Sequence, residues 1–545
     1  MNKKRIQIFL AFFILLIFST RIESQEKILT AEDMKKDLNQ LITILETSHP
    51  DPYLNGGGKI EFHRKYQKLL ASIPENGLTK SEFYKLILPF IASIGDSHTG
   101  LLPIQQSSAK PGLPFKFKIV EKSLFVHVVP AKQYKDLLGA ELISVEGIKI
   151  DELLERQSHL RGTENDYTKF AVMLYRSFSS KDGLANLIPE WNASKPITMI
   201  FKNNNGRNES VKIEIPFEIK EPQSIQSKIE LPSTVNSDFS YKFLDEKKQT
   251  ALLIIKDMSA YREGFENLKA KGYNGIEEIA KAAYKRFQNS NPPEKWNKIM
   301  EGIQSATEVF IKLISEMKEA STKNLIIDLR DNTGGNSIMR EILIYLLYGD
   351  EAVKSIDNGY SIIKFSDLYY RQYQTEIDSN KHSGSAAPAE YDFSLEEKYF
   401  RKHDASEDDF GEWFKSIPTF WKVYETKEYH KKHINLNKVY VLSSPLTYSS
   451  GFNLLTALSE MGAITVGTPS AQAPNNFGDV LSFSLEKSSI KGFVSFKQVL
   501  TYPNDPLKGK CLMPTYSLSK EKYALYKYDP NADVLLALEI IKGKR

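Results

Sequence analysis

With 545 residues the chain is well past what one ordinary hydrophobic core holds, so several structural units are expected. Hydrophobic residues at 41%, charged residues at 26% and aromatic residues at 11% exclude a disordered or collagen-like chain. The formal charge of +4 falls to about +1 once Lys3, Lys4, Arg5, Arg21 and Glu23 leave with the leader described next, so no electrostatic case remains for nucleic acid or an anionic membrane.

Lys3, Lys4 and Arg5 precede the apolar run Ile6 to Phe18, and the polar stretch Ser19 to Gln25 follows. That order predicts a signal peptide over 1–24, because the run is shorter than the ~20 apolar residues a membrane span needs and Ser24 offers a small residue for cleavage. An exported protein with no integral membrane span after cleavage is therefore expected, periplasmic or secreted. No cysteine follows the apolar run to carry a lipid. Cys511 is the single cysteine, which rules out an internal disulfide and a multi-thiolate metal site; among apolar neighbours it reads as a buried, inert thiol.

Residues 25–104 carry helical spacing in MKKDLNQLITILETSHP and SEFYKLILPFIASI, separated by the turn-rich HPDPYLNGGGK, and end in IGDSHTGLLP. From 105 to 235 the pattern changes to short alternating strands, LPFKFKIV, SLFVHVV, AELISVEG, ITMIFKN and VKIEIPF, around one short helix at DELLERQ. This predicts a small, partly open barrel. Over 236–545, buried strands alternate with helices, the pattern of an α/β core, with strands at ALLIIKD, NLIIDL, KVYVLS, AITVG, LSFSL and GFVSFKQ. Two inserts interrupt it, a charged helical one near 262–320 and a polar, aromatic-rich one near 350–435. The acidic run HDASEDD in the second reads as a solvated loop.

Three patches can carry chemistry. In NLIIDLRDNTGGNS a buried strand ends at Asp328 and Arg330, and Gly334 and Gly335 close the loop before a helix near Ser337. Such a loop can turn backbone N–H groups toward an anion, or serve only as a tight turn. In VYVLSSPLTYSSGFNLLTALSEMG a strand and a polar loop lead into a helix, so Ser449 stands at a helix N-terminus. It can be a cap, or a nucleophile whose oxyanion the helix end supports; Ser450 and Ser444 compete for the role. In GDSHT, His98 is either a turn residue or a general base active near neutral pH.

DSHT, a PDZ-like segment at GAELISVEG, DLRDNTGG, TYSSG opening a helix, GAITVGTPS, and the closing YDPNADVLLALEIIK occur in an order that resembles the C-terminal processing (tail-specific) proteases and their tricorn-core serine peptidase relatives. The resemblance implies an α/β multidomain protein: a crotonase-like (ClpP-like) catalytic core with a PDZ-like β-rich module and an N-terminal helical module. It implies Ser449 as nucleophile, Ser97 and His98 as the tricorn-type pair, and oxyanion donors at Gly334, Gly335 and Ser450. The lysine of the tail-specific branch is missing from GTPSAQAPNNFG, where Gln472 and Ala473 stand nearest its place, and Phe452 stands where that branch carries a glutamate. The tricorn glutamate is missing too, with Lys508 at its count, Asp505 the nearest carboxylate, and Asp96 another group able to orient His98.

The expected function is thus a serine endopeptidase acting on extended or unstructured polypeptides, without metal or organic cofactor. The competing expectation is a catalytically weak family member that binds peptides or an apolar ligand, a use of this fold that the interphotoreceptor retinoid-binding proteins illustrate. A glycan- or solute-binding lipoprotein fits the residues less well.

Overall fold

The computed structural model of the chain describes residues 28–543 except 105–109, 274, 356–359, 374–394, 400–410, 412–413, 433 and 435. The signal peptide expected at 1–24 and the acidic run near 403–409 lie outside the described residues. Among the described residues no helix is long and apolar enough to cross a membrane.

The core sheet has six strands in the spatial order Phe239–Phe243, Thr250–Ile255, Asn324–Asp328, Lys438–Ser443, Ile464–Gly467 and Tyr516–Ser517. The first pair is antiparallel and every later pair parallel. Side chains alternate across a strand, and here both faces are covered. Ala251, Leu253, Ile255, Leu325 and Ile327 join one apolar cluster with the helices Ala306–Glu319, Ile338–Tyr348 and Ser450–Glu460. Leu252, Ile254 and Ile326 join a second with the closing helix Ala532–Ile541 and with Val120 and Phe125 from the β-rich region. This is the α/β architecture expected.

Three expectations need correction. LSFSL and GFVSFKQ are not core strands; they belong to a long antiparallel hairpin, Asn475–Ser484 with Lys491–Leu500, in a separate sheet. Its apolar side, Leu481, Phe483, Val494 and Phe496, packs on the front helices through Leu38, Leu45 and Phe83. Their β character was right, but strand alternation does not say which sheet a strand joins. Second, the stretch near 262–320 is only partly an insert. Arg262–Ala270, Ile276–Gln288 and Trp296–Glu301 build a satellite cluster, whereas Ala306–Glu319 lays Phe310, Leu313, Ile314 and Met317 on the core. Third, the β-rich region contains more than one short helix: besides Ile150–Ser158 it has a helical run from Asp166 to Leu187, started by Asn165 in a reciprocal cap with Thr168.

The front helices Ala31–Ser48 and Lys80–Ala92 start at Thr30 and Thr79, whose hydroxyls accept from Asp33 and Glu82 N–H, as capping requires. After the second helix, Gly100–Leu101 pairs with Gly492–Phe493 of the hairpin. That short pairing carries the GDSHT loop to the end of the core sheet.

Candidate active site

Three adjacent parallel strands end on one edge of the core sheet, at Asp328, Ser443 and Gly467, and their loops meet there. Sites in parallel α/β sheets form at the carboxyl ends of strands, where loops and helix N-termini converge.

Ser449 occupies the turn between the middle strand and its helix, with φ 51° and ψ −125°. A side chain in that region is strained, and the strain aims the residue out of the helix. Although Ser449 stands at the cap position, its hydroxyl caps nothing. Its backbone N–H instead donates to Gln472 Oε1 at 2.5 Å. The residue nearest the missing lysine therefore holds the Ser449 backbone. The competing serines are committed elsewhere: Ser444 Oγ donates to the Arg330 carbonyl at 2.5 Å, and the buried Ser450 Oγ donates to the Gly335 carbonyl at 2.6 Å and contacts Ser337 Oγ at 2.7 Å.

The glycine loop lies against this turn. Gly334 and Gly335 have φ 107° and 134°, and a Cβ on Gly334 would stand 2.6 Å from the Ser449 Cβ and 3.1 Å from the Ser450 nitrogen. Only glycine fits there. Asn332, fully buried, fixes the loop by accepting from Gly334 N–H and donating to the Ile255 carbonyl. One of the three expected anion donors, Gly334, thus has its N–H occupied. The N–H groups of Gly335 and Ser450 have no protein acceptor among the described residues.

His98 reaches the site from the front module. Its ring stacks on Tyr448 with centroids 4.8 Å apart, and Nδ1 lies 3.2 Å from the Tyr448 hydroxyl. Among the described residues no hydrogen bond joins the ring to Ser449, and Nε2 has no hydrogen-bond partner. Asp96 does not orient the ring either. One of its oxygens accepts the His98 backbone N–H, and the other accepts from His49 Nε2 at 3.2 Å and Ser495 Oγ at 2.7 Å. Burial alone would raise Asp96, but the His49 hydrogen bond and the His49 and His98 charges hold it well below the usual carboxylate range. Asp96 therefore fixes the loop.

The carboxylate beside His98 is Glu164, which the sequence reading missed. Its Oε1 stands 3.8 Å from His98 Nδ1 and accepts from the Tyr448 hydroxyl at 2.8 Å and from Ser97 Oγ, which also contacts the Tyr448 hydroxyl. Its other oxygen accepts Ala473 N–H at 2.8 Å. Burial pushes Glu164 upward, with the Asp96 charge adding to it, against the opposing pull of His98, Ser97 and the Ala473 N–H. Glu164 comes to this place because its loop is stitched to residues 470–473: Thr168 Oγ1 donates to the Ala471 carbonyl at 2.5 Å and Asn165 Nδ2 to Ser470 at 3.3 Å. The only local signal was Asn165 beginning a helix one residue later. Of the alternatives, Asp505 caps the short helix Pro506–Lys510, and Lys508 lies over the Tyr502 ring. Cys511 is half-buried, its thiol raised by burial.

The cluster of Asp96, His98 and Glu164 has one ligand atom from each within 4.8 Å. Asp96 is already saturated by His49, Ser495 and the His98 N–H, so these donors fit an internal hydrogen-bond network better than a cation.

The strand-end loops of the α/β sheet thus bring together a strained serine, a glycine loop with open N–H groups and a histidine beside a carboxylate. Residues 286–480 match the model for peptidase family S41. The chain's α/β fold is similar to the crystal structure of mature CPAF, with a TM-score of 0.57 and 14% identity over 94% of this chain and 98% of that one. It is similar also to mature CPAF complexed with lactacystin, with a TM-score of 0.55 and 15% identity over 94% and 99% of the two chains. A Chlamydia pneumoniae protein, CPj1016/CpB1054, is 27% identical over 157 residues, 28% of this chain; the match spans 25% of that relative's length.

Proposed function

We propose that the chain is an exported serine endopeptidase for extended or unstructured polypeptides, with Ser449 as nucleophile and His98 as general base. The observation that carries this is the Ser449 turn: a strained, uncapped serine facing a glycine loop whose Gly335 N–H, with that of Ser450, has no acceptor among the described residues. In this reading the core is crotonase-like, and the β-rich region is a PDZ-like module that presents an extended chain along a sheet edge.

The hydrogen bonds favour one tautomer of His98. Tyr448 has one hydroxyl proton, which it gives to Glu164, so its oxygen accepts from His98 Nδ1–H and Nε2 keeps its lone pair. Nε2 then takes the Ser449 proton as Oγ bonds to the substrate carbonyl carbon, and the oxyanion is met by Gly335 and Ser450 N–H. Collapse breaks the peptide C–N bond, and the leaving amine takes the proton from Nε2. Water, deprotonated by the same nitrogen, releases the acyl group and restores Ser449. Glu164, through Tyr448 and Ser97, balances the charge the ring carries between these steps, the part for which the sequence offered Asp505 and Asp96.

The purified mature protein is expected to hydrolyse denatured casein and to be labelled at Ser449 by a fluorophosphonate, with both lost in Ser449→Ala. Hydrolysis that survives that substitution removes Ser449 from the mechanism. The reading as a silent peptide-binding relative draws on Gln472 in the lysine's place and on the engagement of His98 with Tyr448. Labelling of Ser449 decides against it.

A further inference from the structure

A cavity of about 560 Å³ opens beside the His98 loop, between the front helix Lys80–Ala92, the strand Gly100–Leu101 and the helices of the β-rich region. Its charged lining is Lys85, Arg161, Arg176 and Asp182, three cations against one carboxylate. Arg161 donates from Nη2 to the Ser97 carbonyl at 2.7 Å, the one hydrogen bond of its side chain among the described residues, and neither Arg161 nor Arg176 makes an ion pair with any described residue. Asp96 also acts on Arg161 through its charge, but its oxygens are held by His49, Ser495 and the His98 N–H.

The place for Arg161 is built in. A Cβ on Gly100 would stand 2.0 Å from Arg161 Nη1, so the strand beside His98 has to be bare at that residue to admit the guanidinium. Tyr84 lies near enough to both arginines to feel their charges. Burial, and then the Arg176 charge, pull the Arg161 guanidinium down to about 10. Two guanidinium groups on one cavity wall, neither in an ion pair with a described residue, repel each other, and a planar carboxylate is the partner their donor forks match.

We propose that this cavity is a specificity subsite that takes a carboxylate of the bound peptide on Arg161 and Arg176. The inference rests on the peptidase reading above and gives it a substrate class: polypeptides with an acidic group near the scissile bond. The Ser97 carbonyl, on which Arg161 donates, belongs to the residue before His98, so a filled subsite also steadies the loop that carries the base.

The carboxylate is an Asp or Glu side chain within the peptide, and the test separates it from the terminus of the chain. Fluorogenic peptides in which one Gln at a time is exchanged for Glu are each made as free acid and as C-terminal amide. The wild-type chain is expected to favour Glu at one position by about tenfold in kcat/KM, the ratio falling close to one in Arg176→Gln. A preference for free acids over amides without a preference for Glu assigns the subsite to the chain terminus and overturns the proposal. Equal cleavage of all forms by the wild type overturns the proposal. Should no peptide be cleaved, the peptidase reading fails by itself. Fluorescence anisotropy of the same peptides on Ser449→Ala then decides for the subsite if carboxylate forms bind more tightly, and against it if all bind alike. Because Arg161 is deeply placed and its loss can disturb folding, Arg176 carries the test.

Discussion

Glu164 is the carboxylate that the proposed mechanism sets opposite His98, and it lies outside the positions the family resemblance implies. The stretches where a third member was sought hold Asp505 and Lys508, one capping a short helix and the other lying over Tyr502. The carboxylate that does stand beside the histidine is far away in sequence, and its partners Ser97, Tyr448 and Ala473 come from three separate loops. Glu164→Gln keeps the shape and one acceptor oxygen but removes the charge opposite the imidazolium. It should lower kcat by roughly 10²- to 10⁴-fold, as loss of support for an acid–base group does, while peptide binding changes little. The pH dependence has a definite sign. Burial raises Glu164, so as pH falls the carboxylate takes up its proton above the usual value of about 4.3 and stops supporting charge on the ring. Wild-type kcat should therefore carry an acid limb from this group, and the Gln variant, with nothing to titrate there, should lack it.

At the scale of elements, the strand-to-helix turn at Ser449 stores strain that a structural cap has no reason to hold. A non-glycine residue at φ 51° and ψ −125° costs about 1–3 kcal/mol, whereas glycine adopts that conformation freely. Ser449→Gly should therefore raise the urea midpoint of unfolding even as it abolishes hydrolysis; a lower midpoint would show that the turn is unstrained. This turn and the glycine loop were legible in the sequence, because strand, polar loop and helix follow one another within a few residues and local spacing reports them. The front helices and the buried parallel strands were legible for the same reason. What could not be read were choices between distant partners. Alternation marks Leu481 to Leu485 as a strand but is silent on whether it joins the core or pairs with Lys491–Leu500 in another sheet. Nor does any local pattern place Glu164 beside His98, since that contact is made by Thr168 and Asn165 bonding to residues 470 and 471.

Buried charges link the β-rich region, the closing helix and the end of a core strand. Lys118, on a strand of the β-rich region, contacts Asp533 of the closing helix at 2.6 Å. Asp533 also takes Arg330 at 3.0 Å, and Arg330 holds Asp328 at the end of the core strand at 2.6 Å. Asp533 is 1% exposed, so its charge is supported by these partners and scarcely by water. Burial by itself would raise its carboxyl, but the Lys118 and Arg330 charges outweigh that and hold it below its ordinary value. A depressed carboxylate stabilises the fold above the unfolded-state value of about 3.9, and that contribution is lost as pH falls through the lower folded value. Asp533→Asn leaves two buried cations with one carboxylate between them. Near neutral pH it should cost about 3–5 kcal/mol, read as a lower urea midpoint, with the gap from wild type closing as the medium is acidified below about pH 3.9. Lys118→Met should cost less, because Arg330 remains to pair Asp533 and the methionine stem still covers the apolar surface the lysine stem covered. Equal midpoints for wild type and Asp533→Asn near neutral pH would mean that the charges are spectators and that apolar contacts such as Val120 and Phe125 on the closing helix join the β-rich region to the core.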